Sequence, residues 1–230
     1  GSTVTRYSLL IPHDDNFTFI DPIAYAQEVP GVIKFKYNAS QNKVIATICK
    51  FDKTTNTIGD SVSAISSAAF IKNRLWHMLD NQIVFGDIQP EKKFYVTKGN
   101  DIVVINGTNS GNTIQGGYDV DKNLNCTILS ASETVNGTCY LLNKTIEPSV
   151  KSVYKILSET PEFSKFFGLI KGIPDTCITK FFTQHGVDYR IAFFNNYNYT
   201  VYVPTNEAID YAINSGTIKT WESIATMTDS

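Results

Sequence analysis

The sequence predicts an α+β protein in which a strand-rich part is followed by a helix-rich part along 230 residues. Short apolar runs bounded by Gly, Asn and Pro recur between residues 7 and 146, which is typical of strands. Residues 64–79 and 149–170 repeat apolar side chains at helical spacing. Hydrophobic residues make up 42% and charged residues 18%, which is enough apolar material for a packed core.

The first predicted strand covers residues 7–12 and ends at Pro12, because proline cannot donate to a strand ladder. His13, Asp14 and Asp15 follow as turn and helix-capping residues. The two carboxylates are the one hint of acid–base chemistry in the chain, but adjacent residues seldom face a single substrate.

Residues 32–37 alternate in polarity and place Ile33, Phe35 and Tyr37 on one face. Residues 44–51 return as a second strand after a polar turn. The pair is predicted to form a β-hairpin that projects from, or extends, the core sheet. Since loops and additions often carry function, Phe35 and Tyr37 are predicted as binding residues.

A helix is predicted for residues 64–79, with Leu75 and Leu79 buried against a sheet built from residues 94–142. Asn-Gly and Gly-Asn pairs separate the predicted strands of that sheet. These strands are residues 94–97, 102–105, 127–129 and 138–142.

The second part of the chain is predicted to open with helices over residues 149–170, where Thr160-Pro161 marks a helix start. A strand at residues 200–203 follows. Thr205 then caps a last helix, which ends at Gly216.

Several function classes are disfavoured by composition and motif content. Twenty basic and twenty-two acidic residues nearly cancel without a basic run, so nucleic acid is not expected as a partner. Neither a phosphate-binding glycine loop nor a hydrolase nucleophile motif occurs, and no cofactor is expected. The four cysteines are predicted to be buried free thiols, with a Cys126–Cys139 bridge as the alternative.

A weak calcium candidate lies at Asp119, Asp121 and Asn123, where oxygen side chains alternate as in a calcium loop. Leu124 stands at the position that needs glycine, which favours an ordinary polar loop and no metal. Aromatic residues cluster around Tyr197 in the loop at residues 195–198. They are interpreted either as core and strand or as a sticky, carbohydrate-binding surface.

Four segments together resemble the fasciclin domain family, in the family's order but divided over two units. Thr-Val-Tyr-Val-Pro-Thr-Asn at residues 200–206 resembles the first family signature. Residues 75–86, ending in Ile-Val-Phe-Gly, resemble its helix and the box that follows. Residues 94–104 resemble the next hairpin. Asn-Gly-Thr-Cys-Tyr-Leu-Leu-Asn-Lys-Thr-Ile-Glu-Pro at residues 136–148 resembles the closing motif.

The resemblance implies a fasciclin-like β-sandwich or wedge with packed helices and an inserted β-hairpin at about residues 32–51. Residues 1–148 would be the later part of one domain. Residues 149–230 would be the opening helices and first strand of another, completing the first within the chain or in a homodimer by domain complementation. The family's Tyr-His pair falls on Asn81 and Gln82, so its integrin contact is not carried over.

The function implied by the resemblance is non-catalytic adhesion or scaffolding at a cell surface. The partner would be an unknown surface protein or a glycan. The expected location is extracellular or on the outer cell surface, with a lipoprotein-like anchor outside this segment, as in bacterial fasciclin-repeat proteins. The alternative is a carbohydrate-binding or carbohydrate-processing accessory protein.

Overall fold

The computed structural model describes residues 5–21, 24–25, 31–171, 182–185, 188–191, 200–220 and 223. The chain divides into two compact units, Gly1–Val150 and Lys151–Ser230. Both units contain helices and strands, which confirms the predicted mixture of α and β structure. The assignment of the two pieces to fasciclin-like domains stays a prediction.

The described part of the first unit contains two sheets, two complete α-helices and the helical residues Ala24 and Tyr25. Its strands are β1 (Tyr7–Pro12), β2 (Thr18–Ile20), β3 (Val32–Asn38), β4 (Lys43–Asp52), β5 (Thr57–Ala64), β6 (Ile83–Phe85), β7 (Phe94–Val96), β8 (Ile102–Ile105), β9 (Thr113–Gln115), β10 (Cys126–Thr134) and β11 (Gly137–Leu142). Its helices are α1 (Ala68–Asp80) and α2 (Gly117–Asp121), and a 3-10 turn covers Asp14–Asn16.

The larger sheet has seven strands in the order β6-β1-β11-β10-β9-β8-β7. Only β1 and β11 pair in parallel among its described neighbours. The two end strands also meet, because Val84 bridges Thr97 and the Lys98 N–H donates to the Ile83 carbonyl at 2.7 Å. The sheet is therefore nearly closed, and we call it the barrel.

The barrel encloses the main hydrophobic core of the first unit. Alternate residues of each strand point inward, so Leu10, Val103 and Ile128 are almost fully buried. Tyr95 is buried beside them, and its hydroxyl donates to the Gln89 carbonyl at 3.1 Å. The predicted strand over residues 7–12 is confirmed as β1, which lies between β6 and β11 in this barrel.

The smaller sheet is antiparallel, in the order β2-β3-β4-β5. It confirms the predicted pairing of β3 with β4, but it corrects the position of this hairpin. Ile33, Phe35 and Ala46 form a core cluster with Phe19 of β2 and Met78 of α1. The hairpin is thus the centre of a sheet that has its own helix, and it does not project from the barrel.

The predicted packing of the helix was wrong in two respects. Helix α1 begins at Ala68 with Ser67 as its cap, and it covers the four-stranded sheet, whereas residues 94–142 form most of the barrel. Leu75 is half-buried and Leu79 is 40% exposed. The inward residue is Met78, because the helix is rotated toward the sheet that the sequence prediction had treated as a peripheral hairpin.

The described part of the second unit contains helices α3 (Val153–Glu159), α4 (Ser164–Lys171) and α5 (Asn206–Asn214), a 3-10 turn at Pro161–Phe163, and strands β12 (Phe182–His185) and β13 (Asp188–Ile191). Thr205 caps α5 as predicted, accepting from the Ala208 N–H at 3.4 Å. The predicted strand at residues 200–203 was wrong, since this segment is irregular where described. Tyr154 of α3 stacks edge-on against Phe167 of α4.

Candidate functional site

The outward face of strands β1, β6, β7 and β8 is an exposed apolar surface, which we call the outer wall. Tyr7 stands opposite Phe85, and Val96 stands opposite Ile102. The antiparallel bridge between Val84 and Thr97 sets Phe85 beside Val96 in register. A continuous apolar row therefore crosses four strands.

This row is exposed because the inward residues of the same strands already fill the barrel. Phe85 and Ile102 are each 59% exposed, and Val96 is 53% exposed. A second pair, Phe94 and Val104, flanks the row on β7 and β8. Half-buried Leu9 and Ile83 lie beside the row on β1 and β6. The outer wall consists of the row and these two flanking pairs.

Charged groups of both signs border the outer wall. Arg6, just before β1, contacts Asp87 at 2.6 Å and Glu133 at 3.5 Å. Following β7, Lys98 pairs with Asp80 at 2.7 Å and lies over the ring of Trp76. Trp76 is 55% exposed, so an aromatic side chain lies at this border.

A pocket of about 280 Å³ lies where the four-stranded sheet meets the segment after β11, and we call it the junction pocket. Its apolar side is formed by Ile20, Val32, Phe51, Ile58 and Leu124. Its polar side includes Tyr118, Lys144 and Glu147. The Tyr118 hydroxyl donates to Asn56 Oδ1 at 2.6 Å, which ties α2 to the turn before β5.

Two buried carboxyl groups and one lysine lie together on the polar side of the junction pocket. Asp119 is fully buried; its Oδ1 pairs with Lys144 Nζ, and its Oδ2 accepts from the backbone N–H groups of Gly116 and Glu147. Glu147 is 5% exposed and accepts from the Ile20 N–H at 3.2 Å. Desolvation, aided by the negative charge of Asp119, raises the pKa of Glu147 to about 8.

The calcium candidate is not formed. The Asp119 carboxylate is already used by Lys144 and two backbone N–H groups. Asp121 lies at the end of α2, and Asn123 follows in a left-handed turn with φ 52°. No group of three or more His, Cys, Asp or Glu side chains suited to a metal ion occurs among the described residues.

A second groove, of about 350 Å³, brings together several residues that the sequence analysis singled out. Asp14, Asp15, Phe35 and Tyr37 are among the residues that line it. Phe35 is only 1% exposed, so its predicted role as a binding residue is corrected to a core role. Tyr37 is 59% exposed, and its hydroxyl donates to Asn42 Oδ1 at 2.7 Å.

The remaining predicted positions are distributed over the chain. Tyr197 lies outside the described residues. Cys49 and Cys126 are buried free thiols as predicted, whereas the free thiol Cys139 is only half-buried. Cys177 lies outside the described residues. The alternative Cys126–Cys139 bridge is not formed, because Cys139 stands opposite Ser132 in the β10–β11 pairing.

Sequence reasoning missed both the outer wall and the junction pocket. Asn81 and Gln82, the two positions that the sequence resemblance matched to the fasciclin Tyr-His pair, are both buried. Gln82 Nε2 donates to the Ile146 carbonyl at 3.0 Å, and Asn81 Oδ1 accepts from Thr97 Oγ1 at 3.2 Å. These side chains connect the end of α1 to the barrel.

No protein-family model matches the chain, and no curated protein matches it. Among solved structures, it is similar to a FAS1 domain pair from the insect cell adhesion molecule fasciclin I, at 12% identity and a TM-score of 0.31. The match covers 91% of this chain and 55% of that one, so the chain spans about half its length. At this TM-score the likeness carries no argument about function. None of the described helices is long and apolar enough to cross a membrane.

Proposed function

We propose that the chain is a non-catalytic adhesion or scaffolding module that associates with a second copy of itself through the outer wall. The observation that carries the proposal is the exposed row of Tyr7, Phe85, Val96 and Ile102 on the barrel. Contiguous apolar surface of this kind usually marks an interaction site. Contact with the apolar surface of another protein would remove most of this exposed area from water.

The size of the outer wall indicates a weak individual contact. Four strands spaced ~4.8 Å apart and three rows of side chains cover roughly 300 Å². A standard protein–protein interface buries ~800 Å² on each partner, so the outer wall supplies only the apolar centre. When many modules are presented together on a surface, many weak contacts form at once, and the avidity of the surface exceeds the affinity of a single contact.

The borders of the outer wall favour a second copy as the partner. Each border carries both charge signs, with Arg6 beside Asp87 at one side and Lys98 beside Asp80 at the other. Two copies related by a two-fold axis can therefore meet without unmatched like charges. The formal net charge of −2 also leaves little long-range repulsion between copies.

The proposed location is extracellular or the outer cell surface, where an adhesion module acts. This location rests on the sequence resemblance to fasciclin domains, as does the absence of catalysis. Homodimerisation by domain complementation stays a prediction of the sequence analysis. No observation favours the carbohydrate-binding alternative.

Sedimentation velocity over a concentration series tests self-association through the outer wall. Val96→Lys places a charge in the middle of the row, and we expect dimerisation to weaken at least about 10-fold. Val62→Lys is the matched control, because Val62 has a similar exposure, 59% against 53% for Val96, but lies on β5 of the other sheet. A monomer at every concentration, or equal effects of the two substitutions, would refute the proposal.

A further inference from the structure

The junction pocket has the form of a small-molecule site. Its volume of about 280 Å³ lies just below the ~300–1,000 Å³ that is usual for ligand pockets, so it suits a small ligand. Apolar side chains of β2, β3, β4 and β5 form one side, and a few polar groups converge on the other. This combination, an apolar body with a few oriented polar groups, is the usual chemistry of ligand recognition.

The charges on the polar side of the pocket do not balance when both acids are ionised. Lys144 is the one cation that contacts this cluster among the described residues, and it is paired with the buried Asp119. Glu147 lines the same pocket and is held by neutral donors, the Ile20 N–H at 3.2 Å and Thr18 Oγ1 at 3.5 Å. Its carboxylate form therefore has no ion pair of its own, and it shares the attraction of Lys144 with Asp119.

We propose that the junction pocket binds a small organic ammonium ion, with its charged head against Glu147 and its apolar body against Phe51, Ile58 and Leu124. The ammonium supplies the positive charge that the Asp119–Lys144–Glu147 cluster lacks. The ring of Phe51 adds an aromatic surface of the kind that favours organic cations. This proposal concerns a different surface from the outer wall and does not depend on self-association.

An anionic ligand fits the pocket poorly. The Asp119 carboxylate already neutralises Lys144, and a second anion would meet Asp119 and Glu147 on the same polar side. A neutral ligand would leave Glu147 protonated and would gain only ordinary hydrogen bonds. The cation is the ligand class that gains most from this arrangement.

Binding is expected to strengthen as the pH rises. The pKa of Glu147 is raised to about 8, so this carboxyl is largely protonated at neutral pH and must lose its proton to pair with the ammonium. Among the described residues, the titratable groups that face it are Asp119 and Tyr118 on α2, Lys144 in its own segment and Cys126 on β10. Burial raises the pKa of Tyr118 and Cys126 beyond this range, so Glu147 is the group that titrates.

Isothermal titration calorimetry with three matched probes tests the proposal. The probes are phenethylammonium, neutral phenethyl alcohol and anionic phenylacetate. We expect phenethylammonium to bind at least about 10-fold more tightly than the other two near pH 8.5, and its affinity to rise about 10-fold per pH unit below the pKa of Glu147. Equal or tighter binding of the alcohol or of phenylacetate overturns the proposal, as does no binding by any probe.

Three variants of the full chain assign the binding to this pocket. Glu147→Gln matches the protonated carboxyl in shape, so it keeps the fold, and it should abolish both the tight binding and its pH dependence. Ile58→Trp fills the pocket from a position that is 43% exposed, and it should block phenethylammonium without affecting the fold. Glu91→Gln, on an exposed turn, is the charge-matched control and should bind normally. Unchanged binding in E147Q and I58W overturns the assignment.

Discussion

Phe35→Ala distinguishes a core hairpin from a peripheral one. Phe35 is 1% exposed in the cluster with Phe19, Ile33, Ala46 and Met78. Its ring also makes an edge-on contact with Phe17, with a centroid distance of 6.2 Å. Replacing a fully buried Phe with Ala removes this apolar contact and leaves a cavity, so we expect a loss of about 3–5 kcal/mol in the free energy of unfolding.

Tyr37→Ala is the matched control on the same face of the same strand. Tyr37 is 59% exposed, and its hydrogen bond to Asn42 lies in water. Such a bond contributes little, since water replaces it, and we expect a cost of about 1 kcal/mol or less. The structure therefore predicts a difference of at least about 2 kcal/mol between two aromatic-to-alanine changes two residues apart.

Urea denaturation followed by tryptophan fluorescence measures this difference. Trp76 lies on α1, which packs against the sheet of Phe35, so its emission reports the unfolding of this part. Trp221→Phe in both variants and in the reference removes the second tryptophan signal. If Phe35→Ala and Tyr37→Ala lower the midpoint equally and only slightly, the hairpin is peripheral and the packing described for β3 is wrong.

Three further predictions concern charge, backbone and helix attachment. The folded-state pKa of Glu147, about 8, lies above its ordinary value of 4.5, so the stability of the folded chain should fall as the pH rises from 4.5 through 8. In Glu147→Gln the melting temperature should depend less on pH over this range. Gly137→Ala would press its Cβ into the backbone carbonyl oxygen of Tyr7 on β1, so we expect a loss of more than about 3 kcal/mol in the free energy of unfolding. Gly111→Ala, with φ 90° in open space, should cost about 1 kcal/mol when both variants are measured by urea denaturation. Arg74 pairs with the 6%-exposed Asp21 at 2.9 Å, so Arg74→Met should lower stability by about 3–5 kcal/mol in urea titrations, and a change below about 1 kcal/mol would contradict this pairing.

The strands with clear alternation and turn residues were predictable from the sequence, but the sheet that α1 covers was not. Strand β5 has the sequence Thr-Ile-Gly-Asp-Ser-Val-Ser-Ala, and all eight residues are exposed. Backbone hydrogen bonds hold β5 to β4. Because none of its side chains is buried, the sequence of β5 has no alternation of apolar and polar residues that would predict a strand. Strand β2 is only three residues long. Without these two strands, β3 and β4 resembled an isolated hairpin, and the helix was assigned to the wrong sheet.

The outer wall and the junction pocket escaped prediction for different physical reasons. The segment Phe94-Tyr95-Val96 is apolar at every position, so alternation does not show that Tyr95 faces the barrel and its neighbours face water. Glu147 precedes a proline in an irregular segment, where a charged residue is expected to be solvated. Glu147 is buried because β2 lies close to it, and its carboxyl accepts a hydrogen bond from the Ile20 N–H of that strand. The sequence around Glu147 has no pattern that predicts this long-range contact.

Stability does not explain why position 147 carries a carboxyl group. A glutamine there would accept the Ile20 N–H through its carbonyl oxygen in the same way, and it would have no charge to bury. The carboxyl instead destabilises the folded chain at each pH above its ordinary pKa of 4.5, because burial disfavours the ionised form. What Glu147 alone offers is a negative charge that becomes favourable when a cation enters the junction pocket. The stability cost of this residue and the pH dependence of ammonium binding therefore have one cause, and Glu147→Gln should remove both together.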